Sequence, residues 1–260
     1  MAESPWLVPQ WPAPPNILAL STKRVGGISE PPFSSLNLAR HVGDDPLAVT
    51  RNREILQSKL PKGVAVQWLQ QVHDISVVNA TSESSPTDLY LGPEADACWT
   101  SSAGVACAVL TADCLPILLC DRDGGYVAAV HAGWRGLLAG VVEATVAASP
   151  IDPSALMAWL GPHIGQQAFE VGGEVRDAFL AEAAAFGGRS RVSECFLAAP
   201  RVGHWLADLG ELATVKLNFM GVNRIYSSNS CTFAEDTRYF SYRRDGDTGR
   251  MASLILINPI

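Results

Sequence analysis

Six short apolar runs follow one another through the middle of the chain, and they constrain its fold more than any other feature. Separated by polar or glycine-containing segments, the runs are VAVQWLQ, ISVVNA, DACWT, GVACAVLT, ILLCD and YVAAV. Each is too short for a typical helix and contains β-branched, aromatic or small residues, which favours β-strands. Further strands are predicted near residues 17–22, in LMAWLGP, in RIYSS and in the closing SLILI. These strands must be buried in one or more sheets.

Helical patterns lie on both sides of this strand-rich region. Asp44 or Asp45 followed by Pro46 is typical of a helix start, and LAVTRNREILQSKL continues it with apolar residues at helical spacing. Three further helices are predicted, over residues 137–148, 174–185 and 202–220. Together the elements predict an α+β layered domain with a mixed or antiparallel sheet flanked by helices.

The composition limits the number of domains and the classes of partner. With 260 residues, of which 48% are hydrophobic, the chain can bury a sizeable core, and one large domain is favoured over two. We predict a Pro-rich N-terminal tail over residues 1–16 and a single catalytic domain over residues 17–260. Lys and Arg number 19 against 26 Asp and Glu, a net charge of −7. This charge argues against nucleic acid as a partner, because affinity for a phosphate backbone needs clustered cations.

The chain carries no pattern of a membrane span or of secretion. No apolar run reaches transmembrane length, and the Pro-rich, acidic start lacks the basic and apolar regions of a signal peptide. We therefore expect no membrane partner and a soluble, cytoplasmic protein. Six cysteines are too few for a disulfide scaffold in a chain of this size and are interpreted as reduced thiols. Four of them are expected to be small buried residues, namely Cys98, Cys107, Cys120 and Cys195.

His73, Cys114 and His131 are the candidate catalytic residues. They lie in the segments QQVHD, TADCLP and AVHAGWRG. We predict that the strand before Cys114 ends at Asp113-Cys114 and is stopped by Pro116, and that a second strand ends at His131. Functional side chains are commonly displayed at strand ends. One Cys and two His suit a catalytic zinc, which takes three protein ligands, whereas a structural zinc usually takes four.

The same three ligands accept copper as well as zinc, because thiolate and imidazole groups bind both metals. The remaining histidines lie in other environments. His204 falls within the predicted helix over 202–220. His41 and His163 lie in loops flanked by Gly or Pro, and either is a candidate to line a pocket.

Seven motifs along the chain resemble those of a known family. They are STKRVGGIS, FSSLNLARHVGDD, QQVHD, TADCLPILL, HAGWRG, GPHIGQQAFEVGGEV and FSYRRDGDTGR, which run in order from Ser21 to near the C-terminus. On these motifs the chain is identified as a member of the YfiH/YlmD family, also called the laccase-domain or polyphenol-oxidase family. The resemblance implies a single-domain αββα layered fold, with His73, Cys114 and His131 as metal ligands. His163 departs from the family's pattern, which has a small residue there, and would narrow the pocket or add a weak ligand.

The resemblance also implies an activity, because the family is described as multi-activity purine nucleoside phosphorylases. The implied substrates are adenosine, inosine and methylthioadenosine, which are cleaved with phosphate to base and ribose 1-phosphate, and adenosine is also deaminated. Phosphate needs cationic partners, and the candidates, each in a Gly-containing loop motif, are Arg24, Arg135, Arg243 and Arg244. Asp113 is a candidate either to orient a histidine ligand or to accept a proton.

Three other interpretations stay open. The first is a metal-free hydrolase in which Cys114 is the nucleophile, His131 activates it, and His73 or Asp113 holds it. For such an amide hydrolase the resemblance implies a role in peptidoglycan-precursor editing. The second is a copper-dependent phenol oxidase (laccase), which fits poorly because a trinuclear copper cluster needs many imidazoles and the chain has five His. The third is a non-enzymatic binding protein, which no repeat or peptide-binding pattern supports. No feature of the sequence specifies an oligomeric state.

Overall fold

The computed structural model describes residues 4–81 and 92–259 as layers of strands and helices. In chain order the strands of these residues are β1 (Trp6–Leu7), β2 (Ile17–Thr22), β3 (Ala65–Gln67), β4 (Val77–Asn79), β5 (Ala97–Thr100), β6 (Val105–Thr111), β7 (Leu115–Asp121), β8 (Val127–Ala132), β9 (Leu156–Leu160), β10 (Glu170–Gly172), β11 (Phe196–Ala198), β12 (His204–Ala207), β13 (Arg224–Ser227) and β14 (Met251–Ile257). Their α-helices are α1 (Pro46–Gln57), α2 (Trp134–Ala139), α3 (Val141–Ala148), α4 (Gly173–Ala184), α5 (Arg189–Glu194), α6 (Leu209–Phe219) and α7 (Tyr242–Asp245).

Two sheets form the centre of the described part of the molecule. One has five strands in the order β1-β2-β14-β6-β3, and the other has six in the order β13-β9-β7-β8-β5-β4. Most neighbouring strands are antiparallel, whereas β3 and β6, β4 and β5, and β9 and β13 run parallel. Mixed pairing, one of the two arrangements predicted from the sequence, is therefore confirmed.

The two central sheets pack face to face and share a core. Strands β6, β7, β8 and β14 are buried along their whole length. Their sequences are nearly continuous apolar runs, which is the pattern of strands that have a neighbouring layer on both faces. Side chains in the shared core include Val105, Val109, Ile255, Leu118, Ala129 and Trp159.

Helices cover the outer faces of both sheets. On the outer face of the five-stranded sheet, Leu56 of α1 packs into a core with Leu254 and Leu256 of β14. On the other side, residues of α3, α4 and α6 pack with the six-stranded sheet in a second large core. The layer order is therefore helix, sheet, sheet, helix, and the predicted single-domain αββα fold is confirmed.

Several predicted elements match the structure closely. Strand β2 occupies 17–22, as predicted, and α4 lies within one residue of the predicted helix over 174–185. Helix α1 begins at Pro46, where the side chain of Asp45 accepts the N–H of Leu47. These elements were predictable because the cap, the proline and the apolar spacing are all local in the sequence.

The predicted helix over 202–220 is wrong in its first half. That half forms β12, in a small sheet ordered β10-β12-β11, and α6 follows it. Gly203, at φ +77°, turns the chain into the strand. The carboxylate of Asp208 then accepts the N–H of Glu211 and caps α6. His204 is therefore a half-buried strand residue and not a helical one.

The segment around Cys114 also differs from its prediction. Strand β6 ends before Asp113-Cys114, because the chain turns at Asp113, whose φ is +91°. Pro116 does not stop a strand: it is the second residue of β7 and lies opposite His131 of β8. Cys114 thus sits in the turn between two buried strands.

The predicted helix over 137–148 is two helices. Helix α2 begins at Trp134, and α3 follows it after Gly140, whose φ of +106° is readily adopted only by glycine. The N–H of Gly140 donates to the carbonyl of Gly136 and closes the last turn of α2. The break keeps α2 short and close to the end of β8.

The first described residues belong to the five-stranded sheet, because β1 pairs antiparallel with β2. The division of the chain into a tail over residues 1–16 and a domain over residues 17–260 stays a prediction. The six cysteines are free, and the four expected in the core are buried. None of the helices in residues 4–81 and 92–259 is long and apolar enough to cross a membrane.

Candidate functional site

The structure brings His73, Cys114 and His131 together. Their ligand atoms all lie within 4.8 Å of one another. The Cys114 Sγ is 3.7 Å from the His73 Nε2, and the two imidazole rings meet edge to face with centroids 4.7 Å apart. His131 comes from the end of β8, Cys114 from the turn before β7, and His73 from the loop between β3 and β4.

Backbone strain surrounds this cluster. His73 has a φ of +63° and Asp113, next to Cys114, has a φ of +91°, values that non-glycine residues seldom adopt. Such strain is found at functional sites, where the surrounding structure compensates for it. Gly133 is constrained by space and not by its φ: a Cβ added there would lie 2.8 Å from the His73 Cδ2 and 3.0 Å from the Cys114 Sγ. The HAGWRG motif therefore needs glycine at this position.

One buried carboxylate, that of Asp96, holds both histidines. Its Oδ1 accepts the Nδ1–H of His131 at 2.7 Å and the backbone N–H of His73 at 3.0 Å. Its Oδ2 accepts the backbone N–H groups of Val72 at 3.1 Å and Asp74 at 2.8 Å. Sequence reasoning missed Asp96, although an acidic residue just before a buried strand, in the run DACWT, was a signal that could have drawn attention to it.

The electrostatics of the cluster favour a thiolate. Burial would raise the pKa of Cys114, but the charges and hydrogen bonds of His131 and His73 outweigh it and lower that pKa to about 6. Burial likewise would lower the pKa of His131, yet the Cys114 thiolate and Asp96 raise it to about 9. Hydrogen bonds from His131 and from Asp74 hold the pKa of Asp96 below its usual range against the effect of burial.

The cluster fits a metal ion. The bond from the Nδ1–H of His131 to Asp96 leaves its Nε2 as the free ligand atom, which is how carboxylates orient histidine ligands in metal sites. A thiolate and two imidazoles, all within 4.8 Å of one another, can hold a zinc or a copper ion. His73, Cys114 and His131 as metal ligands stay a prediction, and the identity of the metal stays open.

Asp113 lies beside the cluster but contacts other residues. Its Oδ1 accepts the hydroxyl of Thr232 at 2.6 Å, and its Oδ2 accepts the hydroxyl of Ser241 at 3.0 Å and the N–H of Arg243 at 2.7 Å. The carboxylate that orients a histidine is thus Asp96. Asp113 instead attaches the C-terminal segment that contains α7 to the turn that carries Cys114. A role for Asp113 as proton acceptor stays a prediction.

A cavity of about 530 Å³ opens beside the cluster. His73, Cys114 and His131 all line it. The other lining side chains include three aromatic rings, which sequence reasoning did not single out: Trp134, Phe169 and Tyr242. A volume in this range accommodates a small organic molecule with apolar faces.

The two loop histidines have different positions. His41 lines the cavity. His163 does not: its Nδ1–H donates to the carbonyl of Gly161 at 2.8 Å, and its Nε2 lies 3.1 Å from where a Cβ on Gly210 of α6 would be. Burial lowers the pKa of His163. His163 therefore packs between a loop and α6 and neither narrows the cavity nor reaches the cluster.

Two of the four predicted phosphate-binding arginines line the cavity. Arg135 lies over the ring of Trp134, and Arg243 lies 5.4 Å from the ring centre of Phe169. Arg250, which sequence reasoning missed, is a third arginine of the cavity wall.

Arg24 and Arg244 are outside that wall. The Arg24 guanidinium donates to the carbonyls of Ser34 and Asp236, and that of Arg244 donates to the carbonyls of Thr232, Phe233 and Tyr239. Both side chains thus connect loops to one another. Phosphate binding by the predicted arginines stays a prediction.

Comparison with known proteins places this site in a family. Residues 18–258 match the family described as multi-copper polyphenol oxidoreductase laccase. The chain belongs to this laccase-like family. This member is 48% identical over 250 residues to a Pseudomonas aeruginosa protein named purine nucleoside phosphorylase, with 96% of this chain and 97% of the relative covered. It is 47% identical over 251 residues to purine nucleoside phosphorylase YfiH of Escherichia coli, with 96% and 97% covered.

Two solved structures share the fold. A Neisseria meningitidis protein superposes with a TM-score of 0.89 at 47% identity, covering 98% of this chain and 100% of its own. YlmD of Geobacillus stearothermophilus superposes with a TM-score of 0.88 at 30% identity, covering 100% of this chain and 98% of its own. The resemblance found in the seven motifs is therefore confirmed.

Proposed function

We propose that this protein is a zinc-dependent purine nucleoside enzyme. Its reactions are the phosphorolysis of adenosine, inosine and methylthioadenosine to base and ribose 1-phosphate, and the hydrolytic deamination of adenosine. The observation that carries the proposal is the His73, Cys114 and His131 cluster opening into a cavity that arginines and aromatic rings line. Support also comes from the P. aeruginosa and E. coli relatives, which are named purine nucleoside phosphorylases.

The donor set favours zinc over an oxidase's copper centre. When bound to the three side chains, zinc would supply a Lewis acid at one end of the cavity. A multicopper oxidase needs a separate electron-entry copper and a cluster held by many imidazoles. All five His are described, and the described residues contain one cluster of three or more metal-binding side chains, so the donors for such a centre are missing.

In phosphorolysis the glycosidic bond between C1′ and N9 breaks, C1′ bonds to a phosphate oxygen, and the departing purine takes up a proton. The aromatic side chains of Trp134 and Phe169 line the cavity and supply apolar surface for a purine. Arginines of the cavity wall attract the phosphate and stabilise its charge as it attacks. In deamination, water adds at C6 and ammonia leaves.

A second candidate function rests on the thiol itself. The pKa of Cys114, lowered to about 6 mainly by His131 against the effect of burial, makes it a thiolate at neutral pH. A thiolate beside an imidazolium can attack an amide carbonyl, and the imidazolium can protonate the leaving amine. Water, deprotonated by the imidazole, then cleaves the thioester and releases the acid and the thiolate. This arrangement suits a Cys–His amide hydrolase, for which the family resemblance implies a role in peptidoglycan-precursor editing.

One experiment tests both candidates. Purified full-length protein is analysed for metal and incubated with adenosine, with and without phosphate, and the products are separated by chromatography. The proposal expects about one zinc per chain, adenine and ribose 1-phosphate only when phosphate is present, and inosine under both conditions. Metal-free protein that turns over no nucleoside, and that iodoacetamide inactivates towards an amide, would overturn it in favour of the hydrolase.

A further inference from the structure

The segment between β2 and α1 carries the motif FSSLNLARHVGDD, for which the chemistry above has no role. Residues 36–39 of this segment are buried although they lie outside helices and strands. His41 lies two residues after Ala39 and reaches the cavity wall. A buried segment outside helices and strands needs specific hydrogen-bond partners for its backbone groups. These partners fix the conformation of the segment.

Asn37 joins this segment to Arg250. The buried Asn37 Oδ1 accepts the backbone N–H groups of Ala39 and of Arg250, each at 3.0 Å. Its Nδ2 donates to the carbonyl of Ala39 and to the carboxylate of Asp44. The N–H of Leu38 in turn donates to the carbonyl of Arg250 at 3.3 Å. The backbone that precedes His41 and the backbone of Arg250 are therefore held as one unit.

Arg250 lines the cavity, and its guanidinium is held in one position by hydrogen bonds. Its Nη1 donates to the carbonyls of Thr248 at 2.7 Å and Gly249 at 3.0 Å, which carry no net charge and leave the guanidinium cationic. Its guanidinium carbon lies 5.9 Å from the ring centre of Tyr242. Charged and ionisable groups near it also include Asp113, Cys114 and Asp247.

Arg243 is fixed on the same cavity in a comparable way. Its backbone N–H donates to Asp113, and its Nη1 donates to the carbonyl of Glu170 at 2.9 Å while the side chain lies over Phe169. Asp113, the carboxylate on the wall, already accepts three hydrogen bonds. Arg243, Arg250 and His41 thus line one cavity, and both arginines are fixed by hydrogen bonds, in a protein whose net charge is −7.

We infer that Arg250, His41 and Arg243 form a subsite for a phosphate oxyanion in the cavity beside the His73, Cys114 and His131 cluster. Planar guanidinium groups bind phosphate oxygens in pairs, and an imidazole N–H adds a donor from another direction. The inference deepens the proposed function and rests on it for the role of phosphate in the reaction. The same chemistry would bind either free phosphate or a phosphate ester of the substrate.

Binding of inorganic phosphate to the metal-loaded, full-length protein tests the subsite by titration calorimetry in a phosphate-free buffer. The expected result is saturable binding that Arg250→Gln weakens at least about tenfold, because charge-assisted hydrogen bonds to phosphate are lost. His41→Gln, at an exposed side chain, should weaken binding about threefold. Arg250→Lys should recover part of the affinity, since it keeps the charge without the planar pair of donors.

Arg51→Gln is the matched control, because Arg51 is an exposed arginine of α1 that pairs with Glu54. It should bind phosphate as the unmodified protein does. A second arm uses adenosine 5′-monophosphate: tighter binding of the ester than of free phosphate, dependent on Arg250, assigns the subsite to a phosphorylated substrate. Binding of phosphate alone assigns it to the free ion.

Two outcomes overturn the inference. One is the absence of saturable binding of either probe, and the other is equal affinity in the unmodified protein, in His41→Gln and in a folded Arg250→Gln. If Arg250→Gln fails to fold, His41→Gln and Arg250→Lys still decide the question. Arg250-dependent binding without nucleoside turnover would refute the proposed function and leave the subsite standing. Phosphorolysis with an unchanged KM for phosphate in these variants would refute only the subsite.

Discussion

Asp96 links the two histidines of the candidate metal centre through one carboxylate. It fixes the ring of His131 by a side-chain bond and the position of His73 by a backbone bond. Because the carboxylate is fully buried, it has no water to replace these partners. Asp96 therefore sets the geometry of the site through its hydrogen bonds, although it is not one of the candidate metal ligands.

Asp96→Asn should therefore weaken zinc binding by about 10- to 100-fold, the usual effect of losing an orienting partner. Asparagine keeps the size of the side chain, but its amide nitrogen cannot accept the N–H groups that the carboxylate accepts. Competition with a chelator whose absorbance reports zinc measures the change. The control is Asp177→Asn, which removes the same charge from an exposed side chain of α4. Unchanged zinc affinity in Asp96→Asn would contradict the positioning role.

Cys114→Ala should abolish both metal binding and nucleoside turnover, because alanine offers no ligand in place of the thiolate. His73→Ala and His131→Ala should have the same effect if the three residues act as one unit. Metal content by mass spectrometry and product formation from adenosine are the two measurements. Cys231→Ala removes another half-buried thiol, outside the cavity wall, and serves as the control. A Cys114→Ala protein that keeps its zinc and its activity would refute the site.

Among the elements, the turn between β6 and β7 and the short helix α7 depend on each other. Asp113 in that turn accepts the hydroxyl of Ser241, the cap residue of α7, and the N–H of Arg243 within it. A helix of this length is not stable alone, because the first helical turn is costly to form. Its position beside the cavity is therefore supplied by the contact with Asp113.

Asp113→Asn should release α7 and displace Arg243 while the metal ligands stay in place. We expect a higher KM for phosphate with zinc content preserved, and a loss of stability of about 1–3 kcal/mol from the buried groups left unpaired. Steady-state kinetics in phosphate, together with metal analysis and denaturant unfolding, separate these effects. Asp123→Asn, in an exposed turn, is the control. If kcat fell while KM for phosphate stayed constant, Asp113 would instead be the proton acceptor.

At the scale of the whole molecule, the interface between the two central sheets fixes the relative positions of the segments that carry His73, Cys114 and His131. Cys114 lies between strands of different sheets, β6 and β7, and His131 is the second-last residue of β8, next to β7. Relative movement of the sheets would therefore change the distances within the cluster. The dense apolar packing of this interface resists such movement, because closely packed side chains leave little free volume into which a sheet could shift.

Leu118→Ala, in the shared core, should reduce the free energy of unfolding by about 2–5 kcal/mol, since it leaves a cavity between the sheets. Zinc affinity below the unfolding transition should change much less, because the ligands and Asp96 keep their contacts. Urea unfolding followed by tryptophan fluorescence measures the stability. Val202→Ala, at a side chain that is 96% exposed, is the control and should shift stability by less than about 0.5 kcal/mol. A loss in Leu118→Ala no larger than that of the control would argue against a tightly packed interface.

Local patterns account for what was predictable from the sequence. The strand-rich middle, the start of α1 at its proline, the layered fold and the chemical suitability of one Cys and two His all follow from the residues themselves or from short motifs. The prediction of one helix over 202–220 was wrong because the apolar spacing of the true helix continues into the preceding strand. The helix cap at Asp208, which marks where the helix begins, was overlooked. The helix over 137–148 failed because Gly140 allows a break that spacing alone does not show.

The sequence by itself determined which residues can bind a metal, where the buried strands lie and that a single layered domain would enclose them, because these properties depend on residue type and short-range pattern. Tertiary structure decided that Asp96 and not Asp113 holds a histidine, that Arg250 and His41 face the cavity, and that Arg24 and Arg244 connect loops. Those outcomes depend on contacts between segments that are far apart in the chain. Chain folding alone brings them together.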